Sequence, residues 1–190
     1  MLSADMLPAM DGLQLRDGLF SLYTRRFGTV TELMIRRLVN LGKAQNQFHD
    51  LFDDAEHHRV EVKFSVVRKA AETRIREDTI LRCIAESTAA ERMVAFHDDA
   101  WQKCEFDCNI QQVKRREFDV LYYGLMFADA IVIFRITSSE IGSQIFYSDK
   151  QHKGNEGEGQ FHLNRQTLPI HLKHYRYKVI TYDELLELLS

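Results

Sequence analysis

A chain of 190 residues, 45% of them hydrophobic, can build one substantial core but is short for two, so residues 1–190 are read as a single domain. Its formal net charge of −3 excludes the strongly basic balance common among nucleic-acid binders, and leaves such a role to rest on where charges sit rather than on their sum. Three cysteines argue against a disulfide framework, no apolar run approaches the ~18–20 residues of a membrane span, and no basic-then-apolar leader opens the chain, so a cytoplasmic location with no membrane partner is expected.

In chain order, residues 1–12 carry little pattern. Residues 13–27 hold Leu13, Leu15, Leu19, Phe20, Leu22, Tyr23 and Phe27, which suits a helix with a broad apolar face. Gly28 then stops that helix, and Thr29-Val30-Thr31-Glu32 has the form of a capping box opening a second one, which runs to about residue 41 and closes at Gly42. Its apolar stripe is Val30, Leu33, Met34, Leu38 and Leu41, with Glu32 on the other side.

The stretch from His49 to Val67 carries the chemistry. Val60, Val62, Phe64 and Val66 alternate with Arg59, Glu61, Lys63 and Ser65, the period of a strand with one face in a core. Glu61 and Lys63 then stand side by side on the opposite face, about 7 Å apart along the strand, and Asp50 arrives from just upstream. Mg²⁺ is a hard cation completed by one or two carboxylates, waters and a substrate phosphate, and Asp50 and Glu61 are of the type to hold it. A compact ammonium such as Lys63 suits orienting a water or stabilising developing charge. The competing account is a solvated ion pair on an exposed strand face.

Asp50 followed by Glu61-Val62-Lys63 resembles the PD-(D/E)xK signature of restriction-endonuclease-like nucleases, and Asp50-Leu51-Phe52-Asp53-Asp54 resembles the acidic segment of the smallest type II restriction endonucleases; His49 stands where that signature has proline. The resemblance implies an α/β fold with a central mixed sheet of about five strands and helices on both faces. It also implies a Mg²⁺ cofactor on Asp50 and Glu61, with Lys63 catalytic and Glu32 assisting metal or water from the preceding helix. Glu32 has a second account as the cap of that helix. The implied activity is hydrolysis of a short specific site in double-stranded DNA to 5′-phosphate ends by a homodimer, the N-terminal helix being a candidate for the dimer contact. A junction resolvase, a mismatch-nicking enzyme and a non-catalytic DNA-binding protein are the alternatives.

Beyond the motif, Arg68, Lys69, Arg74 and Arg76 could hold a phosphate backbone, or form a solvated face leading to a helix over residues 77–85. A helix is expected over residues 89–103, with Met93, Val94, Phe96, Ala100 and Trp101 inward and His97, Asp98 and Asp99 outward. Cys83, His97, Cys104 and Cys108 match no standard zinc spacing. Residues 118–127 and 131–136 read as two long apolar strands joined at 128–130. Just before them, Gln112, Lys114 and Arg115 are candidates for DNA contact. Residues 147–165 are rich in groups that read base edges, and Lys150, Gln151, His152, Lys153, Asn155, Gln160, His162, Asn164 and Arg165 are the expected recognition set, with a mobile Gly-rich hairpin tip as the alternative. A short helix over 169–175, a strand over 177–181 and a helix over 182–189 capped near Thr181 complete the chain.

Overall fold

The computed structural model describes residues 10–44, 46–70, 73–87, 92–151 and 156–190. In chain order the helices are α1 (Gly12–Ser21), α2 (Thr24–Val39), α3 (Ile80–Ser87), α4 (Leu168–His174) and α5 (Tyr182–Leu189). The strands are β1 (Gly42–Lys43), β2 (Leu51–Asp53), β3 (His58–Val66), β4 (Asp107–Val113), β5 (Val120–Met126), β6 (Ile131–Thr137), β7 (Ser148–Lys150), β8 (Glu156–Asn164) and β9 (Arg176–Ile180). Among the described residues they form a six-stranded mixed sheet in the order β1-β2-β3-β5-β6-β9 and a second, three-stranded sheet in the order β4-β8-β7.

β5 is the axis of the large sheet. It runs parallel to β3, with Glu61 beside Leu121 and Lys63 beside Tyr123, and antiparallel to β6. All of its residues are buried, as expected of a strand covered on both faces, which reads as a continuous apolar run. Val120, Tyr122 and Met126 join Val60, Val62, Ile131 and Ile133 beneath α1, α2 and α5. Leu121, Tyr123 and Leu125 face the other way, against Cys108, Ile110, Phe161 and Leu163 of the second sheet. The second face is thus covered mainly by strands, with α4 at its margin, rather than by the layer of helices expected on both faces. The central sheet also has one strand more than expected.

The first two helices divide at Leu22 and Tyr23, where the backbone turns extended, and α2 runs through Gly28. Starting α2 at Thr24 puts Phe27, Thr31, Met34 and Ile35, all buried, at the spacing of one helix face. Burying a Phe is worth about 2 kcal/mol against about 1 kcal/mol for a glycine inside a helix, so the packing prevails. Asn40, in left-handed backbone at φ 58°, closes the helix, while Gly42 belongs to β1.

The helix expected over residues 89–103 does not form across its described part. Met93 makes a bridge with Arg68, Val94 accepts from Ala128 N–H at 2.8 Å, and the Asp129 carboxylate takes the Phe96 and His97 N–H groups at 2.7 and 3.1 Å. A 3₁₀ segment kinked at Asp98 and Asp99 follows at His97–Lys103. Val94 and Trp101 are buried nonetheless: burial was legible, but not the backbone that delivers it. The C-terminal elements follow expectation, and Thr181 with Glu184 forms a full capping box on α5.

Candidate active site

The antiparallel pairing of β2 with β3 ends at Leu51 and Val60. Beyond that point β3 has no strand on this side among the described residues, so the Val62 N–H would face outward unpaired. Asp50 takes the place of the missing strand: its own N–H donates to the Val60 carbonyl at 3.1 Å, and its Oδ2 accepts from Val62 N–H at 2.9 Å. The carboxylate is thereby fixed at the sheet edge, immediately beside the strand that carries Glu61 and Lys63.

On the face of β3 opposite the buried Val60 and Val62, Lys63 Nζ donates to Glu61 Oε1 at 2.5 Å and lies 4.0 Å from Asp50 Oδ2. These side chains are only 13% exposed for Glu61 and 26% for Lys63, so the pair is not the solvated surface contact of the competing account. Burial lifts the Glu61 carboxyl above the ordinary carboxylate range; Lys63 pulls it down, and the charges of Asp50 and Glu117 push it up again. Burial works against the Lys63 ammonium, but Glu61, Asp50 and Glu32 outweigh it and hold the lysine charged.

Glu32 belongs to this cluster. It lies inside α2, well past the first turn, which overturns its account as a helix cap. Burial and then the charge of Asp50 raise its carboxyl, with Lys63 opposing. Glu117, which the sequence did not single out, also acts on Glu61 through its charge, and lines a cleft of about 670 Å³ together with Lys114, Arg116, Ser138 and Glu158. The parallel pairing of β3 and β5 is the signal that would have found it, since it brings the residues just before β5 alongside the start of β3. The same pairing is fastened by Arg59, whose backbone and guanidinium donate to the Asp119 carboxylate at 2.8–3.0 Å; the Arg59 side chain holds Asp119 down to about 2.

Among the described residues no group of three or more His, Cys, Asp or Glu is arranged to hold a metal ion by itself. Mg²⁺ needs no such cage, because it commonly takes one or two carboxylates and completes its shell with water and substrate phosphate. Asp50 and Glu61 offer an all-oxygen donor set of that kind, and each ionised carboxylate has lone pairs beyond the contacts described above.

The expected DNA-contact residues divide. Arg68 donates to the Phe20 carbonyl at 3.1 Å and lies over that ring, pinning the end of β3 to α1. Lys69, Gln112 and Lys150 are exposed. Lys114 stands between Glu117 at 3.8 Å and Glu158 at 3.6 Å. Arg115 donates to the Ile141 carbonyl and the Asp149 carboxylate and covers the Tyr147 ring. Gln151 is half-buried, its N–H bonded to the Glu158 carbonyl. Gln160 accepts from Asn109 at 2.9 Å, His162 pairs with Asp107 at 2.9 Å, Asn164 accepts from the Gln166 and Thr167 N–H groups, and Arg165 meets Glu105 at 2.5 Å. His152, Lys153 and Asn155 lie outside the described residues.

No described helix is long and apolar enough to cross a membrane. Comparison with protein-family models, with curated proteins and with solved structures finds no match to this chain.

Proposed function

We propose that the chain is a Mg²⁺-dependent deoxyribonuclease of the PD-(D/E)xK kind, and specifically a type II restriction endonuclease acting on double-stranded DNA. The observation that carries the reading is the convergence of Asp50, Glu61 and Lys63 at one sheet edge, with Asp50 held there by Val62 N–H. Asp50 and Glu61 would hold the ion, which when bound polarises the scissile phosphate and lowers the pKa of its water. Lys63, kept charged by three carboxylates, stabilises negative charge that builds on the phosphate oxygens as the water attacks. Glu32, its carboxyl made more basic by burial and by the charge of Asp50, suits the acceptor of that water's proton. One chain supplies one such site, so cutting both strands calls for a homodimer whose twofold axis matches that of a palindromic target.

A second reading has an observation of its own. Gln160, His162, Asn164 and Arg165 are engaged within the protein, which favours a nuclease that reads DNA shape, such as a junction resolvase, over one that reads bases. Incubating the purified protein with long unmethylated duplex, with Mg²⁺ and with chelator, tests both. Discrete fragments that need Mg²⁺ and fall about 10²–10³-fold or more in Asp50→Ala and Lys63→Ala support the restriction reading. Cutting confined to branched or mismatched DNA favours the second, and no cutting of any DNA overturns both.

A further inference from the structure

β4 is tied to β3 at two places. The Cys108 thiol donates to the Val66 carbonyl at 3.7 Å, and the Arg116 carbonyl, just past the end of β4, accepts from Arg59 Nη1 at 3.1 Å. Residues 108–116 therefore pass residues 66–59 in the opposite direction. The run between those ties, which includes Gln111 and Gln112, thus passes the stretch of β3 that carries Glu61 and Lys63.

The pairing of β4 with β8 breaks at this point. Ile110 pairs with Phe161 and Val113 with Gly159, so β4 carries one residue more than its partner strand, a β-bulge. Ile110 and Val113 are buried, whereas Gln111 and Gln112 are both exposed. Gln112 adopts left-handed backbone at φ 56°, which glycine takes readily and a longer L-residue takes only against strain. The extra residue turns Val113 inward, where unbroken alternation from Cys108 and Ile110 would have placed Gln112, and leaves the Gln112 side chain exposed at the bulge. A strained, side-chain-bearing residue on a bulge beside a charged cluster is the arrangement that re-aims a side chain for use.

We propose that the Gln112 carboxamide is a substrate-positioning group, donating a hydrogen bond to a DNA backbone phosphate next to the scissile one. The inference rests on the nuclease reading above. Glutamine is a regular donor to phosphate oxygens, and such contacts set register rather than read sequence. Gln112 thus fixes where the backbone lies relative to Lys63, whichever bases follow.

The test uses Gln112→Gly and Gln112→Asn beside the wild type and Asp50→Ala, reading Mg²⁺-dependent cleavage of the DNA that the wild type cuts and the urea midpoint of unfolding. Glycine relieves the backbone and removes the amide, so Gln112→Gly is expected to unfold at the same or a higher urea concentration while kcat/KM drops tenfold or more. Gln112→Asn tolerates the same backbone and keeps an amide, and recovers part of the loss. Wild-type cleavage rates in Gln112→Gly would overturn this inference while leaving the nuclease reading standing. A joint fall of midpoint and activity would also overturn it, by making Gln112 a structural residue. A wild type that cuts no DNA removes the nuclease reading and this inference together.

Discussion

β3 and β5 lie side by side in parallel register, yet they are opposite kinds of strand. β5 has partners on both edges and cover on both faces, and every one of its residues is buried. β3 has β5 on one edge, but on the other, among the described residues, only a three-residue partner, β2. Where that partner stops, a carboxylate replaces a strand at Val62 N–H, and charged side chains occupy the face on which β5 carries Leu121 and Tyr123. The short β2 opens an edge in a sheet whose middle is sealed, and the candidate active site sits at that opening.

If β5 is purely a packing strand, its most sensitive position is Gly124. It pairs with Phe64 of β3, and a Cβ there would run into the Phe64 ring. The ring is packed against the helix-covered core, so Gly124→Ala forces it or the backbone to move, at a cost of about 2–3 kcal/mol. Urea unfolding should show that loss. A variant within 0.5 kcal/mol of the wild type, about the usual scatter of surface changes, would mean that the two strands are less tightly joined than the comparison requires.

This division was partly legible beforehand. The alternation over residues 59–67 identified β3 and the face bearing Glu61 and Lys63, because period-two burial is local. The β5–β6 hairpin was equally plain. The second sheet was not, since Cys108 and Ile110 find Leu163 and Phe161 across about 50 residues of chain, and local pattern says nothing about such partners. For the same reason the composition of residues 160–165 says nothing of its partners within the protein: Asn109, Asp107 and Glu105 engage Gln160, His162 and Arg165 from a distant strand and the loop before it. The helix over 89–103 failed because the Asp129 carboxylate takes N–H groups that a helix would have used.

The sealed interior can also be probed by pH. Tyr123 on β5 meets His171 Nδ1 at 2.7 Å, among Phe134, Phe161 and Tyr175, and burial lowers the pKa of this histidine from 6.5 to about 4. Above pH 6.5 the imidazole is neutral in both folded and unfolded chains, and its contribution is fully present. As pH falls below that value the unfolded chain binds the proton first, and stability drops until the folded histidine also titrates near pH 4, by about 3 kcal/mol in all. Urea unfolding at pH 7 and pH 4.5 should therefore show a larger loss in the wild type than in His171→Phe. Equal losses would place His171 in contact with water and break the contrast between a sealed face and an open edge.

The smallest expected effect bears on the other side of the contrast. If Glu61 and Lys63 are there for chemistry, the fold should not need them. A half-buried ion pair gains Coulomb energy but pays desolvation on both ions, and replacing the whole pair by apolar side chains is often neutral or stabilising by about 1–4 kcal/mol. The double variant Glu61→Leu with Lys63→Met should accordingly lose all cleavage while its unfolding free energy stays level or rises by about 1 kcal/mol, the low end of that range because the site retains some access to water. The gain should also grow with pH. Burial raises the Glu61 carboxyl above its unfolded value, so the wild type is penalised as pH climbs past the ordinary carboxylate range, a penalty that the apolar pair escapes. Lys63→Met alone should fare worse than the double variant, because it strands Glu61 and Asp50 without their shared counter-ion. A double variant destabilised by more than about 2 kcal/mol, well outside the range for such replacements, would make the pair part of the scaffold and remove the distinction between the two strands.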